Sequence, residues 1–302
     1  MHDGTNHLMS VALSPAITRF ESRRAELLAQ RRRATILYGS LLILALLVSA
    51  YVSEVSPGKL ADGIPRFGEY FAQTIPKLRW EHLFAWTDQE GSLAYWFYRL
   101  DQWALLLLET ANIAAFATLS GAVIAFGLSF LAARNLATRP WLASAIRRFL
   151  EACRTVPEIV YALIFVWAFG IGPLAGILAI ALHTVGALGK LFAEVVENTD
   201  LGARDGVVCA GGNWVQSVRY GVLPQVAPNF LSYAILRFEI NVRGASVIGF
   251  VGAGGIGQEL YSVIAQNYYE EISAIVVLII ITVALIDLFS ERLRRGLIET
   301  GR

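Results

Sequence analysis

Charge is scarce in this sequence: Asp, Glu, Lys and Arg supply 16% of its 302 residues, against about 25% in an ordinary soluble domain. With 56% of the residues hydrophobic, a water-soluble globular domain is excluded as the main architecture, and an integral membrane protein is expected. The charges nearly cancel, leaving a net charge of +1, so nothing suggests a basic face for nucleic acid. Cysteine is scarce too. Cys153 and Cys209 are too few and too far apart for a disulfide framework or a metal cluster, and both are expected as free thiols near the cytoplasm. His183 has no second His, Cys or carboxylate at ligand spacing, which points to a packed polar residue and away from a metal site. A phosphate-binding G-x4-G-K-[ST] loop is also missing, since Gly58-Lys59 and Gly189-Lys190 are each followed by Leu and lack the upstream glycine. If ATP drives this protein, a different chain binds it, and no cofactor is expected in this one.

What the chain does contain is a series of long apolar blocks. A polar stretch, 1–35, carries Arg19, Arg23, Arg24 and the run Arg31, Arg32 and Arg33. Residues 36–52 are uncharged and just long enough to cross the hydrocarbon core. Basic residues before the block and small ones at its end also suit a signal peptide, but a start beyond residue 30 favours a retained span. Residues 53–103 mix prolines and both charges with Trp80, Trp86, Tyr95, Trp96, Tyr98 and Trp103, aromatics that suit a membrane-water interface. They read as an external loop with short helices lying on the membrane.

Further blocks follow at 105–133, up to 169, at 174–196, at 226–250 and at 272–289. The second carries small residues from Ala111 to Ala125 at three- and four-residue spacing, which lets helices approach closely in lipid, and a charge, Glu109. A basic loop with Arg139, Arg147, Arg148 and Arg154 is expected before the third, and the short turn at 170–173 returns the fourth antiparallel to it. Six spans put both termini on one side. About 17 of the 25 Lys and Arg residues fall on that side, so the termini are expected in the cytoplasm.

Gly252, Gly254 and Gly257 fit G-x-G-x-x-G, with Glu270 downstream. A dinucleotide fingerprint needs a preceding strand and a soluble sheet. Flanking apolar spans favour a tight bend at Gly252, Gly254, Gly255 and Gly257 near a gate.

The stretch 205–224, DGVVCAGGNWVQSVRYGVLP, is mostly polar and lies between apolar blocks. It is either a plain helix-turn-helix connection, closed by Gly211 and opened by Pro224, or something more specific. Its spacing resembles the cytoplasmic loop E-A-A-x3-G-x9-I-x-L-P of ABC-transporter permeases. Asp205, Gly206 and Val207 stand at the E-A-A positions, Gly211 at the Gly, Gly221 in place of Ile, and Leu223 and Pro224 at the end. Glu109-Thr110, Arg154-Thr-Val-Pro-Glu158, Gly170-Ile-Gly-Pro173, the run from His183 to Glu194, and Gly252-Ala-Gly-Gly-Ile-Gly257 extend the resemblance over about residues 105–290. Together they look like the phosphonate-uptake permease branch, with phosphite, hypophosphite and phosphate-ester importers close by.

That resemblance implies an all-α integral membrane protein of the type I ABC-importer permease (MetI-like) fold, with six transmembrane helices, in a bacterial inner membrane. It implies a homodimer, two cytoplasmic ATP-binding subunits that hold ATP and Mg, and a periplasmic substrate-binding protein. The chain then divides into a cytoplasmic segment 1–35, a first span and periplasmic loop 36–104, a permease core 105–292 with a coupling loop 200–224, and a cytoplasmic tail 293–302. Charged residues within spans are costly. Lys190, Glu194, Arg237, Glu239 and Arg243 either pair with one another or snorkel to the interface, or else Arg243 and Asn241, with Arg237 and Glu239, face the path of an anionic solute. The competing reading is an ion-coupled secondary transporter or a membrane enzyme, which would not depend on an ATPase partner.

Overall fold

The computed structural model describes residues 15–54, 56–87 and 89–300. The first fourteen residues of the expected N-terminal segment and the last two of the tail lie outside the described residues. Every regular element among the described residues is helical. The chain forms two compact units, residues 1–71 and 72–302.

In the first unit, α1 (Pro15–Val52) runs unbroken from the arginine-rich stretch through the apolar block. Its 38 residues extend about 57 Å, longer than a bilayer core. The polar stretch and the first apolar block are therefore one helix. α2 (Pro57–Thr74) follows and tolerates Pro65 within it. Leu60, Ile64, Phe67 and Phe71 recur along it at helical spacing, and the Phe67 and Phe71 rings lie 4.7 Å apart. That stripe, opposed by Lys59, Asp62, Arg66 and Glu69, is the pattern of a helix lying on a membrane surface.

The second unit begins with an irregular segment, a 3-10 turn at Trp80–His82 and the short α3 (Leu93–Trp96). The long α4 (Leu100–Ala132) comes next, then α5 (Pro140–Thr155), α6 (Glu158–Phe169) and α7 (Pro173–Glu197). α4 and α7 form the centre and run parallel, with Ile113 beside Gly176 and Gly121 beside Thr184. A Cβ on Gly121 would stand 2.8 Å from the Thr184 methyl carbon and 3.0 Å from the Ala181 carbonyl oxygen. The small residues expected to allow close approach do so here, and the backbones touch.

The expected basic loop before the third span is a helix. Ala143, Ile146, Leu150 and Cys153 recur at spacings of three and four and turn inward, while Arg148 stays in solvent. This is an amphipathic helix whose charges masked its period. It rests on the glycine face of α7, since a Cβ on Gly186 would lie 2.6 Å from the Leu150 carbonyl oxygen. Pro157 has no N–H and disfavours helix before it, and there the chain bends by 87° into α6.

Beyond α7 stand α8 (Gly202–Cys209), α9 (Trp214–Gln216), a π turn at Ser217–Val222 and α10 (Leu223–Ile248). A 3-10 turn at Gly249–Val251 leads, through a 45° bend, into α11 (Ile256–Ala265), and α12 (Tyr269–Thr300) ends the unit. α1, α4, α7 and α12 are each long and apolar enough to cross a membrane, and the two bent pairs bring the number to as many as six. Below the centre, Phe192 stacks on Phe230 at 4.1 Å within a cluster that includes Phe130, Val222 and Val226. Such a ring pair contributes about 0.5–1.5 kcal/mol beyond its buried area.

Candidate functional site

The stretch expected to couple to a motor is a small, tightly fastened structure. α8 carries Asp205, Gly206 and Val207, and its first turn is capped by Asp200, whose Oδ1 accepts the Gly202 N–H at 3.0 Å. Asp205 is 65% exposed, and Gly206, Val208 and Cys209 share its exposure. The helix ends through Gly211 at φ +85°, with the N–H groups of Gly211 and Gly212 donating back to the carbonyls of Val208 and Val207. No atom lies within 4 Å of a Cβ built on Gly211. Conformation, not space, is what requires glycine there.

Asn213 then opens α9 with a capping box: its side chain accepts the Gln216 N–H, and Gln216 Oε1 accepts the Asn213 N–H at 2.8 Å. Trp214 Nε1 donates to the Leu136 carbonyl at 3.0 Å, tying the loop to the link between α4 and α5. Gly221 lies in the π turn, and a Cβ on it would stand 2.6 Å from Arg204 Cα. Gly221, which stands in place of the motif's Ile, is thus where α8 presses its backbone onto the turn that opens α10. Leu223 and Pro224 open α10 after this wide turn, where the missing proline N–H is tolerated. Gln225 Nε2 donates to the carbonyls of Gly221 and Asp200, closing the loop across its base.

The polar residues of α10 divide into two groups. Asn241 is fully buried and donates through Nδ2 to Thr118 Oγ1 at 2.8 Å and Thr184 Oγ1 at 2.9 Å. Arg237, one turn away, donates from Nη2 to Glu158 Oε1 at 2.5 Å, and His183 Nδ1 lies 2.6 Å from the same nitrogen. On another face, Arg243 bridges Glu239 at 3.0 Å and Asp287 of α12 at 2.7 Å, and Arg294 reaches Glu239 at 3.2 Å. Lys190 and Glu194 stand 4.0 Å apart. The pairs Arg243–Glu239 and Lys190–Glu194 join residues that stood out in the sequence, whereas, His183 apart, the remaining partners of α10 did not. Glu158 was visible only within a motif, and Asp287 and Arg294 lie at the end of the chain. Thr118 and Thr184 were legible only as hydroxyls in apolar helices, where side chains hydrogen-bond across helices.

The glycine bend takes φ of +88° at Gly252, +83° at Gly254 and +71° at Gly255. A Cβ on Gly257 would fall 2.0 Å from the Ser246 carbonyl oxygen, so the end of α10 and the start of α11 are in backbone contact. Residues of α4 cap α11: the Ile256 N–H donates to Thr110 Oγ1 at 2.9 Å, and the Gly255 N–H to Glu109 Oε1 at 3.3 Å. A carboxylate at a helix N-terminus also meets the positive end of its dipole, which gives the Glu109 charge a structural use. Gly249–Val251 before the bend is a 3-10 turn, and no strand occurs among the described residues, so the dinucleotide reading is ruled out.

At the far end of α4 the irregular segment is locked to α11 and α12. Trp96 Nε1 donates to the Glu270 carbonyl at 3.1 Å, and Arg99 pairs with Glu259 at 2.8 Å. The Tyr98 hydroxyl donates to Glu271 Oε1 at 2.6 Å, and that carboxylate, with burial, raises the Tyr98 pKa.

Residues 125–298 match the family described as binding-protein-dependent transport system inner membrane component. The phosphite transport system permease protein PtxC of Stutzerimonas stutzeri is 36% identical over 250 residues, covering 83% of this chain and 84% of PtxC. The phosphate-import permease protein PhnE of Mycolicibacterium smegmatis is 34% identical over 85% of this chain and 45% of its own length. In three dimensions the chain resembles the inward-facing MetNI methionine ABC transporter with a TM-score of 0.56 at 21% identity, covering 65% of this chain and 95% of that one. The fold is therefore that of a MetI-like permease, and the long apolar helices suit a multi-pass place in a bacterial inner membrane. This chain belongs to the binding-protein-dependent inner membrane components and is the permease subunit of an ATP-driven ABC importer.

Proposed function

We propose that this permease imports phosphonates or related phosphorus oxyanions such as phosphite. The observation that carries the solute class is the similarity, over most of the chain, to permeases named for phosphite and phosphate import. The cationic Arg237 inside the helix bundle supports it, because an anion crossing a low-dielectric path needs a compensating charge.

The working assembly is two copies of this chain, two cytoplasmic ATP-binding subunits holding ATP and Mg, and a periplasmic protein that delivers the solute. Each bent helix pair counts as one span, giving six, and the excess of Lys and Arg puts both termini and α8 in the cytoplasm. α8, with Asp205, Gly206 and Val207, seats in the ATP-binding subunit. Motor closure moves α8. The contact with Gly221 and the Gln225 bridge pass that movement into α10, and Trp214 passes it to the link between α4 and α5. Arg237 and Asn241 stand on the path side of α10. Glu239 and Arg243 fasten α10 to α12, and the bend at Gly252, Gly254, Gly255 and Gly257 lies near the gate.

Two measurements test this reading. Purification of the tagged permease is expected to recover a stoichiometric ATPase, whereas a secondary transporter or a membrane enzyme would purify without one. Thermal shift of the binding protein against phosphonates, phosphite, phosphate and phosphate esters is expected to show stabilisation by the first two. Stabilisation by none of the four would overturn the solute class.

A further inference from the structure

Glu158 and Arg237 meet where the helix bundle is most sharply broken. Glu158 is the first residue of α6, directly after Pro157 and the 87° bend. Its Oε1 lies 2.5 Å from Arg237 Nη2, and its Oε2 lies against α10 at Gly244, 2.9 Å from where a Cβ would stand. His183 Nδ1 lies 2.7 Å from Glu158 Oε1. That single nitrogen either accepts from the guanidinium or donates to the carboxylate, so the imidazole sides with one partner at a time. The three side chains are 18% exposed or less. Beside them Asn241 leaves its Oδ1 buried with no partner among the described residues.

A buried ion pair contributes little stability over a well-packed apolar pair, and ionisable groups within a span are costly and mark solute paths. We propose that Glu158 is an internal stand-in for the transported anion. Its carboxylate occupies the Arg237 guanidinium while the path is empty, and movement of α6 at the Pro157 break yields that guanidinium to the oxyanion in transit. This rests on the oxyanion reading given above. Carboxylates and tetrahedral phosphorus oxyanions use the same planar fork of arginine donors. An unopposed arginine would hold the anion, and a neutral residue would not attract it, whereas passage needs binding that is favourable on entry and weak on exit. A resident carboxylate that competes for the guanidinium meets both conditions. His183 supports whichever arrangement holds.

The test uses proteoliposomes containing the permease, its ATP-binding subunits and its loaded binding protein, with labelled phosphite and labelled methylphosphonate as separate probes. Arg237→Gln and the double variant Glu158→Gln/Arg237→Gln are expected to assemble with the ATP-binding subunits, while uptake falls at least about tenfold in both. Glu158→Gln alone is expected to slow uptake, because nothing then competes the anion off Arg237. Wild-type uptake in the double variant would reduce the pair to a fastener and overturn the proposal. Unchanged uptake in Glu158→Gln would overturn it too, as would a loss of assembly in Arg237→Gln that persists in the double variant. Failure of the wild-type complex to accumulate either probe would count against the oxyanion reading itself, and the stand-in role would fall with it.

Discussion

Gly221 and Arg204 are in backbone contact: a Cβ on the glycine would stand 2.6 Å from the Cα of the arginine. The family loop carries isoleucine at this position, and in this chain the space that side chain would fill belongs to α8. A helix that meets a motor is useful as a lever only if it bears on the element to be moved. Here it bears directly on the π turn that opens α10, without intervening side chains.

Gly221→Ile should therefore restore the family letter and still damage the protein. Overpacking of this kind costs about 1–3 kcal/mol, and the strain falls on α8, since Gly221 itself is buried. Expected is an inserted permease that loses binding-protein-stimulated ATP hydrolysis and recovers less ATPase on purification. Wild-type stimulation in that variant would show that α8 does not transmit through this contact.

Gly211 offers a contrast, because its Cβ would meet nothing within 4 Å while its φ is +85°. Valine there pays about 1–2 kcal/mol for a left-handed conformation, whereas asparagine tolerates it. Gly211→Val is expected to leave the permease inserted but to abolish uptake, with ATPase lost from the complex or no longer stimulated. Gly211→Asn is expected to retain most of both activities. Normal coupling in the valine variant would make 205–224 a simple connector.

At the second bend, Thr110→Val removes the acceptor of the Ile256 N–H while keeping the side-chain shape. Leaving that buried donor without a partner costs about 1–3 kcal/mol, so the thermal midpoint of the permease in nanodiscs should fall by several degrees. Gly257→Ala should be worse, since its methyl would overlap the Ser246 carbonyl. A midpoint unchanged in both would mean that the bend does not depend on these contacts.

Topology is best read at Gln89 and Ser144, both exposed. Ser92 would be a poor reporter, being fully buried with its hydroxyl donating to the Trp86 carbonyl. In a Cys209→Ser background, which removes the exposed native thiol, a cysteine at Gln89 should react with an impermeant maleimide added to spheroplasts, and one at Ser144 should not. The reverse pattern would invert the orientation.

Much of this was legible in the sequence by itself, because lipid imposes a simple rule on composition. A membrane span must be a long, nearly uncharged run, and the cores of α1, α4, α7 and α12 satisfy that test residue by residue. Local chemistry was legible too: Gly211 marked the end of α8, and the glycines after Phe250 marked a bend, since only glycine takes positive φ freely. α5 was hidden because its arginines gave a charged average that concealed a 3.6-residue period, and a sharp bend at Pro157 leaves too short a run on either side. What only the tertiary structure decided is which polar residues meet. Glu158 and Arg237 are 79 positions apart, and Thr110 and Ile256 are 146 apart. Neither spacing has a period that a sequence can display. Glycines at 121, 186, 221 and 257 let backbones approach to contact, and glycine at 255 lets Thr110 reach the bend; that effect depends on the neighbour across the gap, not on the residues beside it in the chain.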